Sequence, residues 1–352
     1  PSLEIKPPRS AFGPPKAERQ VQFLHPGYQD GRNLLIALPA LDSGGVHHET
    51  ARVACAILAN ASWHGFLSVS RDDPAIEQGP DEILMEDSYY FCIQGDDQYA
   101  VVPSFDNFSC PNPRNIPSSW ASAPAPRSTT LDIRIRNPTC RITSSAEALD
   151  NSHIIPMAHE AWWERNLMLQ YTARAGDSQS TTCPDNMIRL RTDLHRLWDS
   201  HLFTIVPKAG QWLIHFVQDT ATAELTDNYH NLRIQELAGV PTIFLLCRFA
   251  LAIFTNSVFL MQKTDRKLIL ISEAGTTSVA NVSADRCRTL FGKARARSGS
   301  PKKRSRLLDP NNDEEYIRAD SEESDWSPVN SEDEEGDDWE TEAEMRGRSR
   351  KR

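Results

Sequence analysis

Three short segments bring together side chains that can move protons and hold cations: 149–156, 185–190 and 191–199. His153 sits in a Val/Ile-type stretch ended by Pro156, Asn186 precedes a run of alternating apolar residues, and His195 lies four residues before Asp199. An imidazole titrating near about 6.5 can accept a proton at cellular pH, which suits a general base. Residues four apart on a helix project from one face, so His195 and Asp199 can share a divalent cation. Asp150 offers a further carboxylate on the same strand face as Ser152, about 6.8 Å away by strand geometry. A mixed imidazole and carboxylate set accepts Mg²⁺, the first expectation, or Mn²⁺ or Zn²⁺. Nearby, Arg189, Arg191 and Arg196 carry guanidinium groups that match a phosphate with two parallel hydrogen bonds.

These side chains need rigid elements to hold them. Local patterning predicts a strand around His153, a strand after Asn186 and a helix over 191–199, capped by Thr192 or Asp193 through a side-chain oxygen. Leu131, Ile133 and Ile135 alternate with Asp132, Arg134 and Arg136, the period of a strand with one buried face. The stretches 202–206 and 212–217 predict a hairpin behind the site. Between His153 and Asn186 runs a long insertion with a helix-like stretch at 158–171, in which Trp162 and Trp163 are expected to pack in the core.

Together these segments resemble the His-Asn-His endonuclease motif of the ββα-metal superfamily, in the variant common among fungal proteins. Cys140-Arg141-Ile142-Thr143 opens the resemblance, His153-Ile154-Ile155-Pro156 supplies the first histidine, Asn186 the asparagine, and 193–199 the helix; it covers about 129–216. The nine-residue step from Asn186 to His195 is the one that the superfamily uses. The resemblance implies hydrolysis of a phosphodiester, with His153 as general base, a divalent cation on His195 and Asp199, and Asn186 pinning the loop that orients His153. One position departs: the residue before the first histidine, usually a His or Asp ligand, is Ser152, and a hydroxyl is a poor ligand. Asp150 could stand in only through a strand bulge or a water. The expected function is a metal-dependent endonuclease acting on DNA, with RNA as the alternative substrate. The rival is a catalytically inactive protein that keeps the fold as a nuclear DNA-binding or protein-interaction module.

Composition frames this reading. A chain of 352 residues that is 39% apolar can bury a sizeable core. The expected class is α+β: a leader at 1–20, a mixed α+β module at 21–116, a Pro- and Ser-rich linker at 117–128, the ββα-metal nuclease-like domain with a helical extension at 129–275, and a disordered basic then acidic tail at 276–352. In the first module, strands are predicted at 33–38, 89–93 and 99–102 and a helix at 49–60, while His47-His48 and Trp63-His64 read as turn or surface residues. The apolar run 243–254 is interrupted by Arg248 and falls short of the roughly 20 residues that cross a bilayer, so it is expected as a core helix, without a membrane partner.

The 7 cysteines form no C-x-x-C pair, which fits a reducing compartment and speaks against a zinc knuckle. No secretory leader is legible, and the expected location is intracellular and nuclear. Net charge is −10, yet 309–344 carries seventeen acidic residues against Arg318 alone, so the rest of the chain is net positive. Lys302, Lys303, Arg304 and Arg306 form a basic strip that reads as a nuclear-localisation or phosphate-binding segment. The acidic run after it reads as an interaction tail that binds basic proteins or folds back as a self-inhibitor.

Overall fold

β1 (Gln20–Leu24) alternates exposed and buried residues, so that Val21 and Phe23 enter the core, and β2 (Leu34–Pro39) pairs with it antiparallel. A two-residue strand, β3 (Val46–His47), leads into α1 (His48–Leu58), which is buried along almost its whole length. The His47 side chain caps this helix by accepting from the Thr50 N–H. β4 (Phe66–Ser68), β5 (Ile83–Leu84) and β6 (Ser88–Cys92) follow. β6 runs parallel to β1 and antiparallel to β4, giving a sheet of order β2-β1-β6-β4, while β5 pairs with β3.

The chain continues through α2 (Ser118–Ala121), α3 (Ile133–Arg136), β7 (Leu149–His153), α4 (Glu160–Arg165), β8 (Met187–Arg191) and α5 (Thr192–Asp199). β9 (Phe203–Lys208) and β10 (Gln211–Phe216) form an antiparallel hairpin. Its two-residue loop, Ala209-Gly210, has both φ angles positive, at 47° and 70°, the backbone of a tight turn whose twist matches the strands. α6 (Ala223–Tyr229), α7 (Thr242–Asn256), β11 (Arg266–Ile271), β12 (Thr277–Val282) and α8 (Ala284–Ser298) complete the order. This computed structural model describes residues 19–126, 128, 132–173, 180–218, 222–272 and 275–298, with no side chains described from 293 onward. All of them lie in a unit that runs to Leu307; the second unit, from Leu308, lies outside the described residues, as do the basic strip, the acidic tail and all but the end of the expected leader.

The fold is mixed α+β, and most of the predicted elements are present: strands at β2 and β6, the α1 and α7 helices, and the β9–β10 hairpin. Four expectations need correction. The predicted strand over 131–135 is the short helix α3, because the Asp132 side chain accepts from the Arg134 N–H and starts a helical turn, which leaves Ile135 69% exposed. The stretch 99–102 makes only an isolated bridge, Val101 to Leu268. His47 and His48 are buried at the start of α1 rather than on the surface, whereas His64 is exposed. β12 and the whole of α8 occupy residues assigned to the tail.

The boundary at 117–128 is also not a break in packing. One core cluster takes in Phe23, Val53 and Phe91 from the first half and Trp163, Ile205 and Phe249 from the second. Trp120, inside the supposed linker, is 2% exposed and packs against Trp212 and Phe249. α7 touches α1, α2, β9 and α8. By length and composition Thr242–Met261 would suffice to cross a membrane, yet 72% of its most apolar 18-residue stretch is buried inside the protein, as befits a central core helix. Removing α1 and the first sheet would uncover one side of α7, so the halves should not fold apart. Denaturant unfolding of the full chain, followed by tryptophan fluorescence and far-UV circular dichroism, is expected to give one coincident transition for the core, and a fragment starting at residue 117 to lack it. Two separated transitions would contradict the shared core.

Candidate active site

β7 and β8 lie side by side antiparallel, with Asp150 opposite Leu190, Ser152 opposite Ile188 and His153 opposite Met187. α5 starts directly where β8 ends and packs back on both strands. No side chain caps α5; Thr192 instead bonds the Ala148 carbonyl through both its N–H and its hydroxyl, and Asp193 turns to Arg191. The predicted cap is therefore absent, and Asp193 pairs with Arg191 while its charge sits in the first turn, where the helix dipole favours it.

His195, on the exposed side of α5, stands between two carboxylates. Its Nδ1 lies 3.2 Å from Asp150 Oδ2 and its Nε2 3.3 Å from Asp199 Oδ2. The three groups predicted to share a cation are thus adjacent, but Asp150 and Asp199 face opposite ring nitrogens. One cation can meet only one of those nitrogens. The carboxylate on the other is then placed to orient the ring, an arrangement common for metal-ligating histidines.

Asn186, fully buried, fixes the segment just after His153. Its Oδ1 accepts from the Ile155 N–H at 2.9 Å, while its Nδ2 donates to the Ile155 carbonyl at 2.8 Å and the Thr181 carbonyl at 2.7 Å. Its own carbonyl accepts from the Ile154 N–H at 2.8 Å. Trp198, one residue before Asp199, donates from Nε1 to the His153 carbonyl at 2.8 Å. Behind both, the guanidinium of Arg248 on α7 stacks over the Trp198 ring at 4.1 Å and donates to the carbonyls of Ile154 and Trp198. Sequence reasoning treated Arg248 only as an interruption of an apolar run; a lone charge inside a core helix was the signal that it had a partner to hold.

The His153 ring is half-buried. Burial lowers its pKa from 6.5, Asp199 opposes that shift and His195 adds to it, so the ring is neutral at pH 7. Its Nε2 is shielded from solvent and has no hydrogen-bond partner among the described residues. Ser152 is 0% exposed, with its hydroxyl likewise unpartnered. Of the three predicted phosphate-binding arginines, Arg191 is held by Asp193 through two hydrogen bonds of 2.7 Å, which pull the Asp193 carboxyl below its usual range. Arg189 reaches back to the carbonyls of Asn137 and Pro138. Arg196 is exposed on α5 and makes no ion pair among the described residues. Trp162 and Trp163 of the insertion are both 1% exposed, as expected of packing residues.

A second polar cluster escaped sequence reasoning. Asp42, between β2 and β3, accepts from Lys208 Nζ at 2.6 Å and Asn231 Nδ2 at 2.8 Å, and lies 3.0 Å from His230 Nε2. Burial alone would raise the Asp42 carboxyl, but the His230 hydrogen bond and the Lys208 charge outweigh it and hold Asp42 ionised. Ligand atoms of Asp42, His215 and His230 all lie within 4.8 Å of one another. Only the third dimension joins residues that are 188 positions apart, such as Asp42 and His230.

The Asn186 geometry can be tested by substitution. Asn186→Ala leaves two buried carbonyls and a buried N–H without a side-chain partner, at about 1–3 kcal/mol for each group left unpaired. Asn186→Asp keeps the acceptor for Ile155 but sets a carboxylate against two carbonyl oxygens, so it should destabilise at least as much as alanine in chemical denaturation. If aspartate were tolerated and alanine not, the two donated bonds would not be formed.

No curated protein and no solved structure gives a significant match to the chain. Residues 140–206, which carry β7, α4, β8, α5 and the first part of β9, match the family model described as HNH endonuclease.

Proposed function

We propose that the protein is a metal-dependent endonuclease that hydrolyses phosphodiester bonds of DNA, on a ββα-metal site formed by β7, β8 and α5. The observation that carries this reading is the double tether of His153. Asn186 holds the backbone just after it, and Trp198 holds its carbonyl to the helix that bears His195 and Asp199. A general base works only when held within reach of the proton it takes, and this one is neutral and rigidly mounted.

The residues fit a divalent cation on the Nε2 side of His195, with Asp199 as the second donor and Asp150 orienting the ring through Nδ1. Such a cation, Mg²⁺ by first expectation, shields charge developing on the phosphate and stabilises the leaving oxygen. His153 takes a proton from the attacking water, and Arg196, exposed on the same helix, grips a neighbouring phosphate. Action on RNA, nuclear residence through the 302–306 strip and self-inhibition by the acidic run belong to the same reading as secondary proposals.

A second reading, a non-catalytic DNA-binding or protein-interaction module, draws on the buried Ser152 at a usual ligand position and on the shielded His153 Nε2. Nicking of supercoiled plasmid by the full chain with Mg²⁺, Mn²⁺ or Zn²⁺ separates the two. The expected result is metal-dependent nicking that falls about 10²- to 10⁴-fold in His153→Ala and is lost in His195→Ala. No nicking with any metal, from protein shown to be folded, would favour the second reading. Among active variants, Asp150→Asn should reduce the rate less than Asp199→Asn, as expected of a ring-orienting group beside a direct donor.

A further inference from the structure

We propose that Asp42, His215 and His230 form a second, buried metal site that takes one cation of the zinc class, separate from the His195 and Asp199 pair. Two imidazoles and one carboxylate, with ligand atoms all within 4.8 Å of each other, are a nitrogen-rich donor set. That set suits Zn²⁺, Co²⁺ or Ni²⁺ rather than Ca²⁺ or Mg²⁺, which prefer oxygen donors throughout.

The independent observation is His215. It is 0% exposed, and neither Nδ1 nor Nε2 has a hydrogen-bond partner among the described residues. A neutral imidazole always has one N–H and one lone pair, and burying both unmet is costly. Thr204, directly opposite on β9, is also fully buried with an unpartnered hydroxyl. Unmet polar atoms converging beside a second histidine and a carboxylate call for a polar occupant. A cation on His215 meets the lone pair, and the Thr204 hydroxyl lies opposite as a candidate partner for the remaining ring N–H.

The carboxylate is already oriented for the task. Asp42 Oδ2 accepts from the His47 N–H at 2.9 Å, and Oδ1 accepts from Asn231 Nδ2. The competitor is Lys208, whose Nζ contacts Asp42 Oδ1 and also lies 2.7 Å from Asn231 Oδ1. Its ammonium supplies the positive charge that a metal would bring. Cation binding therefore makes Lys208 either turn from Asp42 toward Asn231 or release one proton to solvent, and the two cations compete for one oxygen.

The test uses the full chain, stripped of metal, in the His195→Ala/Asp199→Ala background, so that binding at the nuclease-type site cannot contribute. Titration with Co²⁺, followed by visible absorption, is expected to show one equivalent bound with the bands of a low-coordinate nitrogen-ligated ion, displaced by Zn²⁺. His215→Gln should abolish the spectrum. Lys208→Met, which removes the competitor, keeps much of its volume and leaves the buried Asp42 carboxylate without its cation, should tighten binding about tenfold or more. If His215→Gln fails to fold, the Lys208→Met comparison carries the test alone. Absence of Co²⁺ binding in the background protein and in Lys208→Met would overturn the site and leave an ion-paired polar cluster in its place.

Discussion

Arg248 sits at the middle of α7 with no exposed surface, and its guanidinium lies between the Trp198 ring and the carbonyls of Ile154 and Trp198. No carboxylate makes an ion pair with it among the described residues, so the cost of taking a guanidinium out of water, several kcal/mol, is offset differently. A desolvated cation over an indole contributes about 2 kcal/mol, and hydrogen bonds from a charged donor about 1.5–3 kcal/mol each. The Trp198 carbonyl belongs to the last turn of α5, where the helix dipole is negative and a cation is welcome. Burial lowers the Arg248 pKa to about 9, opposed by Asp199, which still leaves it charged at neutral pH. One side chain therefore holds the end of α5 and the strand that carries His153 in fixed relation, and Trp198 closes the triangle through its bond to the His153 carbonyl.

This constraint explains why α7 cannot be an appendage of the nuclease-type segment. It is the scaffold against which β7 and α5 are set, and its other faces are covered by α1 and α2 from earlier in the chain. The sequence shows a Pro- and Ser-rich stretch at 117–128 that resembles a linker in composition, but composition does not report what packs on what. Trp120 was the contrary signal: a large aromatic among small polar residues, which the structure places between Trp212 and Phe249. The same limit applies to 131–135. Alternation alone predicts a strand there, and one Asp132 side chain accepting from the backbone is enough to start a helical turn instead.

The chemistry-bearing segments were legible because their meaning is local. A histidine and an aspartate four apart share a helix face whatever the fold, and the β7, β8 and α5 elements appear where patterning places them. What sequence could not supply was direction: Asp150 and Asp199 both reach His195, but from opposite sides of the ring. Still less could it join Asp42 to Lys208, His215 and His230, which lie in a loop, two strands and a helix end. Those residues are polar in segments that otherwise read as apolar, and only the packing of the β9–β10 hairpin over the β2–β3 loop gives that oddity a reason.

The two polar clusters differ in what they leave open. At His195 the chain offers one imidazole nitrogen and one carboxylate on the same side, and Ser152, turned inward, adds nothing. Most coordination positions of a cation there would fall to water and phosphate oxygens, which suits a hard ion that keeps its waters and meets its substrate directly. Around Asp42 the donors are buried and enclosed, with a lysine already neutralising the carboxylate. A cation there would have no room for a phosphodiester and would act on the packing of the two halves instead of on a substrate. On the proposed reading, Ser152 in place of a ligand would weaken the grip on a metal without closing the open coordination that hydrolysis needs, whereas the enclosure at Asp42 would leave no place for a substrate however well a metal fits.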